Sequence, residues 1–167
     1  MSDADDKSHL LSEHVRGEID AWMSRFPEGG KQSAILQALV SAQHDHGGWV
    51  SAELMDAVAD YMGVARVTAY EVATFYSMIE TQPVGRHSVS ICTNISCMLC
   101  GADDLVAHVE TRLGCKRGES TADGRIFLKE EEECLAACRS APMMQVDHVY
   151  YTDLTPERVD EILDSLE

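Results

Sequence analysis

The chain has 167 residues and an apolar fraction of 45%, which suits one medium or two small globular domains. Its 29 acidic and 13 basic residues give a formal charge of −16, and such a surface repels nucleic-acid phosphates and anionic lipid headgroups alike. The sequence has no run of about 18 apolar residues, and its acidic start lacks the pattern of a signal or transit peptide, so we expect no membrane insertion and a cytoplasmic location.

The first half of the sequence is patterned as helices. Apolar residues spaced three and four apart predict helices over about 10–26, 33–44, 52–62 and 66–79. The third of these begins after Ser51, a favoured N-cap residue, and ends at Gly63, where a C-terminal glycine belongs. We therefore expect a helical bundle over residues 1–82.

The pattern changes after the turn at 81–85. It predicts a strand over 87–92, a helix over 101–113, a strand over 125–129, a hairpin over 143–151 and a last helix opened by Thr155-Pro156-Glu157. The acidic run Glu130–Glu133 is expected to face solvent. This order of elements suits a small mixed sheet with packed helices, of the thioredoxin-like class, over residues 83–167.

Most of the six cysteines fall in two short clusters, each predicted to lie in a loop that leaves a strand. A cytosolic chain keeps its thiols reduced, so metal binding or redox chemistry is favoured over disulfides. The first cluster holds Cys92, Cys97 and Cys100, and the second holds Cys134 and Cys138. Four thiolates from two loops can hold a [2Fe–2S] cluster, with two sulfurs on each iron. Small and apolar neighbours would then form a shell that excludes water: Leu135, Ala136, Ala137, Ala141, Pro142 and Met143.

Spacing alone leaves two other chemistries open. A zinc-stabilised binding module would use the Cys97–Cys100 pair together with Cys134 and Cys138. A thioredoxin-like dithiol oxidoreductase would use Cys97-Met98-Leu99-Cys100 before a helix, but it gives the other clustered cysteines no role. Since no G-x-G-x-x-G motif follows a strand, we expect the chain itself to hold no dinucleotide.

Several longer motifs occur in order along the chain. They are Gly48-Trp49-Val50-Ser51, Val72-Ala73-Thr74-Phe75-Tyr76-Ser77, Pro83-Val84-Gly85-Arg86-His87, Cys92-Thr93-Asn94 with Ser96-Cys97-Met98-Leu99, Gly118-Glu119-Ser120-Thr121-Ala122-Asp123-Gly124, Glu133-Cys134-Leu135 with Cys138, Ala141-Pro142-Met143 and Leu154-Thr155-Pro156-Glu157. Through these motifs residues 30–165 resemble the small thioredoxin-like [2Fe–2S] subunit of respiratory complex I, known in bacteria as the E subunit of NADH:quinone oxidoreductase.

The resemblance implies an α+β fold, with an N-terminal helical bundle followed by a thioredoxin-like α/β [2Fe–2S] ferredoxin domain. It implies one [2Fe–2S] cluster held by Cys92, Cys97, Cys134 and Cys138. It further implies that a partner flavoprotein subunit binds FMN and NADH, and that this chain passes electrons without catalytic residues of its own. With other peripheral-arm subunits, the chain would be attached to the inner membrane from the cytoplasm.

Two positions depart from the pattern of that family. The family usually has glycine at the position of Ala136, so the added methyl group puts the fine geometry of the second pair in question. Cys100 stands where the family often has arginine, and it is given no ligand role. The matching subunit of an NAD-linked hydrogenase or formate dehydrogenase is the alternative within the same class.

Overall fold

The computed structural model describes residues 6–130 and 134–167. It divides into two compact units, the first ending at Pro83 and the second beginning at Val84. The predicted order of N-terminal helices followed by a mixed sheet with helices is confirmed. Residues Glu131–Glu133, part of the predicted acidic run, lie outside the described residues. No helix in the described ranges is both long and apolar enough to cross a bilayer.

Within residues 6–83, the first unit contains four α-helices: α1 (Glu13–Met23), α2 (Ile35–Asp45), α3 (Ala52–Met62) and α4 (Arg66–Phe75). Short 3-10 segments cover Ser8–Leu10 and Glu28–Ala34. The ends of α3 follow the sequence prediction, because the Ser51 hydroxyl accepts a hydrogen bond from the Leu54 amide and Gly63 adopts a left-handed φ of 70°. The helix predicted to reach residue 79 ends at Phe75, since Tyr76 is already extended.

The apolar stripes of these helices meet in one core. Ile19, Leu39 and Val58 are fully buried, each from a different helix. Polar groups fix the segments at the edge of this core. Asp60 accepts hydrogen bonds from the Arg66 guanidinium at 2.8 and 3.0 Å and from the Lys7 amide at 3.0 Å. The amino-terminal segment is thereby tied to α3 and α4.

The second unit is built on a five-stranded sheet in the order β2-β3-β1-β4-β5. The strands are β1 (His87–Ile91), β2 (Glu119–Ser120), β3 (Ile126–Leu128), β4 (Met144–Val146) and β5 (Val149–Tyr151). β1 pairs in parallel with β3 and antiparallel with β4, so it occupies the centre of the sheet. The predicted hairpin is confirmed as β4 and β5, whereas β2 was not predicted.

In the described part of this unit, three α-helices accompany the sheet: α5 (Ile95–Leu99), α6 (Ala102–Leu113) and α7 (Pro156–Ser165). The apolar faces of α6 and α7 close the core over the strands, with Val109 and Val159 fully buried. Thr155 caps α7 by accepting a hydrogen bond from the Arg158 amide, as its sequence predicted. The prediction that the whole first cysteine cluster lies in a loop was wrong, because α5 carries Cys97.

Candidate metal centre

The first pair of cysteines is buried at the end of the central strand. Cys92 directly follows β1 and Cys97 lies on α5, and each is only 1% exposed. Asn94 caps the start of the short helix. Its side-chain oxygen accepts a hydrogen bond from the Ile95 amide at 2.9 Å, and its backbone carbonyl accepts one from the Met98 amide at 2.9 Å. This tight turn brings Cys97 back to Cys92, and their thiols form a hydrogen bond.

The backbone of Met143 joins these two cysteines. Its carbonyl accepts a hydrogen bond from the Cys92 amide at 3.1 Å, and its own amide donates to the Cys97 sulfur. Met143 is 1% exposed and directly precedes β4, whose pairing with β1 places Met144 opposite Ile91. The antiparallel pairing of the two strands therefore sets the position of Cys92 and of the Met143 backbone that contacts Cys97.

The second pair of cysteines is exposed. The sulfurs of Cys134 and Cys138 are 3.4 Å apart. Between them Ala136 has a φ of 60°, and Cys138 begins a 3-10 turn closed by a hydrogen bond from the Ser140 amide to the Ala137 carbonyl. Ala136 thus adopts the left-handed conformation that glycine takes at lower cost, and the methyl group does not prevent it.

An apolar layer surrounds the first pair. Ala102 and Met143 are buried together with Cys92 and Cys97, and three partly buried residues of the second loop region pack against them, namely Leu135, Ala137 and Ala141. These contacts place the loop of the second pair beside the buried first pair. Most of the shell predicted from the sequence is therefore in place.

Burial controls the acidity of Cys97. Desolvation, followed by the neighbouring Cys92 thiol, raises the pKa of Cys97 to about 11, and Cys138 adds to the shift. Without metal this thiol is therefore protonated at neutral pH. Binding of a cation by these sulfurs must release protons, because only a thiolate ligates.

The donor set fits a two-iron cluster better than a single metal ion. Among the described residues, no three His, Cys, Asp or Glu side chains converge closely enough to hold one ion. The sulfurs instead form two pairs in neighbouring segments, and a [2Fe–2S] cluster takes two thiolates on each iron. A tetrahedral zinc ion would need four sulfurs around one point.

The remaining two cysteines lie elsewhere. Cys100 is exposed at the end of α5, while Cys97 points to Cys92 and the Met143 amide. Cys115 is buried in the core of the second unit, where burial and the carboxylates of Glu119 and Glu110 raise its pKa. This placement gives no support to a Cys97–Cys100 dithiol.

Sequence reasoning missed two parts of this site. The helix α5 was signalled only by Asn94, a good N-cap residue before the five-residue helix. The double role of the Met143 backbone has no local signal, since it depends on pairing between strands distant in sequence.

Comparisons with known proteins identify the family of this chain. The family model of the thioredoxin-like [2Fe-2S] ferredoxin matches residues 19–167. An E subunit of NADH-quinone oxidoreductase from Rhizobium meliloti, the one numbered 2, is 44% identical over 90% of this chain and 88% of its own length. The corresponding E subunit of Rickettsia bellii is 42% identical over 86% of each chain. The mitochondrial NADH dehydrogenase [ubiquinone] flavoprotein 2 of Dictyostelium discoideum is 38% identical over 96% of this chain and 71% of its own.

A solved structure shares the fold at lower identity. The crystal structure of an NAD+-reducing [NiFe]-hydrogenase in the air-oxidized state aligns with a TM-score of 0.66 and 19% identity. The alignment covers 79% of this chain but only 22% of that hydrogenase chain. It therefore supports the architecture alone.

Proposed function

Because this chain belongs to the thioredoxin-like [2Fe–2S] ferredoxin family and is an E-type subunit of NADH-quinone oxidoreductase, we propose that it is the electron-transfer subunit next to the NADH-oxidising flavoprotein. A [2Fe–2S] cluster, when bound, takes up and releases one electron at a time. The proposed partner subunit holds FMN and NADH. This chain reaches the membrane only through other subunits of the complex.

We propose Cys92, Cys97, Cys134 and Cys138 as the four ligands. The observation that carries this choice is the Met143 backbone, which holds the first pair through its carbonyl and its amide. The second pair lies in a loop whose apolar residues pack against the first. An amide that donates to a ligand sulfur stabilises negative charge there, so Met143 is a group through which the chain adjusts the reduction potential.

The residues around the sulfurs have the remaining roles. The apolar layer of Ala102, Leu135, Ala137 and Ala141 excludes water from the first pair, which strengthens the hydrogen bond at Cys97. The central strand fixes Cys92 and the short helix α5 fixes Cys97, so we expect little rearrangement to accompany a change of charge.

The matching subunit of an NAD-linked hydrogenase is the second candidate function. The NAD+-reducing hydrogenase shares the architecture of this chain, which is compatible with this candidate. Relatives at 38–44% identity that are named for NADH dehydrogenases favour the first candidate more strongly. Co-purification of the tagged chain from its own cells distinguishes them, because the accompanying subunits carry either a nickel–iron site or a quinone reductase.

An iron and sulfide assay with matched cysteine variants tests the site. The purified chain is expected to be reddish-brown, to hold about two irons and two sulfides, and to show an EPR signal on reduction. Cys138→Ser should lose the cluster absorbance, whereas Cys100→Ser should keep it. A colourless protein that holds zinc would refute the cluster, and loss of absorbance in Cys100→Ser would show that the ligand set is wrong.

Two activity assays complete this test. The pure chain should not oxidise NADH, because its sequence contains no dinucleotide-binding motif. It should also fail to reduce insulin disulfides. Insulin reduction that disappears in Cys100→Ser would favour the dithiol oxidoreductase instead.

A further inference from the structure

We propose that the outer face of α5, formed by Ile95, Met98 and Leu99, is the surface on which the FMN-carrying partner subunit docks. This inference rests on the proposed function and deepens it by naming where the partner binds. It follows from the direction of the helix, the charge of the surrounding sequence and the position of a proposed ligand on the same helix.

The helix α5 has an inner and an outer face. Cys97 is 1% exposed on the inner face, whereas Ile95, Met98 and Leu99 are 69%, 45% and 77% exposed. Residues three and four apart lie on the same side of a helix, so the three apolar side chains form one patch. Single exposed apolar residues are ordinary on a protein surface, but three within five residues form a contiguous patch that suits contact with another protein.

The sequence around this patch is free of charge. From Ser88 to Ala102 there is no Asp, Glu, Lys or Arg, although the whole chain has 29 acidic and 13 basic residues. The centres of protein interfaces are depleted of charged residues and enriched in methionine. Asp103 and Asp104 follow directly and are exposed in the first turn of α6. A partner surface that complements this patch therefore has an apolar centre with basic residues at its rim.

This chemistry fits the flavoprotein better than other occupants. In a symmetric dimer the same patch meets itself, so Asp103 and Asp104 of both copies would crowd around one uncharged centre and repel each other. Anionic lipid is repelled by the same carboxylates and by the formal charge of −16. A partner seated on α5 is separated from the Cys97 sulfur by about the width of one helix, on the order of 10 Å. One-electron exchange requires such proximity.

The test measures binding of the cluster-loaded chain to the purified FMN-containing subunit from the same organism. Leu99→Asp places a charge in the centre of the patch, and we expect binding to weaken at least about tenfold, as for other buried interface anchors. Val149→Asp is the matched control, because Val149 is also an exposed aliphatic residue, at 54%, but lies on β5. Its affinity should stay within about twofold of the wild type.

Iron content and the EPR spectrum are recorded for every variant, and both should be unchanged. Met98→Asp serves as a second variant if Leu99→Asp loses the cluster. Wild-type affinity in a cluster-loaded patch variant would overturn the docking surface while leaving the proposed function intact. A wild-type chain that holds its cluster but does not bind the flavoprotein would overturn both. Self-association that Leu99→Asp abolishes, with flavoprotein binding retained, would assign the patch to a second copy and likewise overturn the proposal.

Discussion

Replacing Gly85 with alanine should destabilise the second unit, because there is no room for a methyl group at this position. A Cβ atom on Gly85 would lie 2.6 Å from the carbonyl carbon of Ile126 and 2.7 Å from the amide nitrogen of Phe127. These distances are about 1 Å shorter than an ordinary contact. Both neighbouring atoms belong to the backbone of the adjacent strand β3, so no side-chain rotation can relieve the overlap.

The loss of stability in Gly85→Ala can be estimated from the segment before β1, which must shift to make room for the methyl group. The segment before β1 is held by hydrogen bonds from the Gly85 amide to the Ser120 hydroxyl at 3.0 Å and from the Arg86 amide to the Gly124 carbonyl at 3.0 Å. A shift of about 1 Å would weaken both, each worth on the order of 1 kcal/mol. Together with overpacking of about 1–3 kcal/mol, the free energy of unfolding should fall by about 3 kcal/mol.

Urea unfolding followed by far-UV circular dichroism measures this loss. Gly17→Ala is the matched control, since Gly17 lies within α1 with no atom near its missing Cβ and should gain up to about 1 kcal/mol. Both tryptophans, Trp22 and Trp49, lie in the first unit, so their fluorescence reports on that unit separately. A Gly85→Ala transition within about 0.5 kcal/mol of the wild type would refute the steric argument.

Three further predictions concern the backbone and the ion pairs. Ala136→Gly should stabilise the metal-free chain by about 0.5–1 kcal/mol in urea unfolding, because glycine adopts the positive φ at lower cost than alanine. A less stable variant would contradict the argument from backbone conformation. Asp60→Asn should cost about 2 kcal/mol at neutral pH, since the Arg66 guanidinium holds the pKa of this 2% exposed carboxylate below its usual range. The cost should shrink as the pH falls below about 4 and the wild-type carboxylate becomes protonated, and a cost that is constant with pH would contradict the ion pair. The hydrogen bond to Asp147 raises the pKa of His87, so His87→Gln should lower the free energy of unfolding by up to about 1 kcal/mol below about pH 6.5. The loss should become smaller as the pH rises through the raised pKa, and thermal unfolding at several pH values measures it. An equal loss at low and high pH would contradict the ion pair between His87 and Asp147.

Local chemistry made much of the fold predictable from the sequence. Ser51 and Thr155 cap their helices, and Gly63 ends α3 in the left-handed conformation, because each effect acts within a few residues. The five-residue helix α5 and the two-residue strand β2 were missed, since segments this short show no periodic pattern. Such elements form through tertiary contacts, and β2 exists only through its pairing with β3.

The candidate site was predictable in its residues but not in its organisation. Cysteine spacing indicated metal binding and left several pairings open. The structure brings Cys92 and Cys97 together through Met143, a residue more than forty positions away that strand pairing places beside them. The left-handed conformation of Ala136 was indicated only by the resemblance, since the family usually has glycine there; alanine itself rarely adopts this conformation and gives no local signal for it.

The unequal exposure of the two cysteine pairs gives cluster loading a direction. Cys134 and Cys138 are open to solvent, so an assembly donor meets their sulfurs first. Cys92 and Cys97 lie inside the apolar layer, and each is only 1% exposed. We therefore expect delivery to begin at the outer pair and to finish at the inner one.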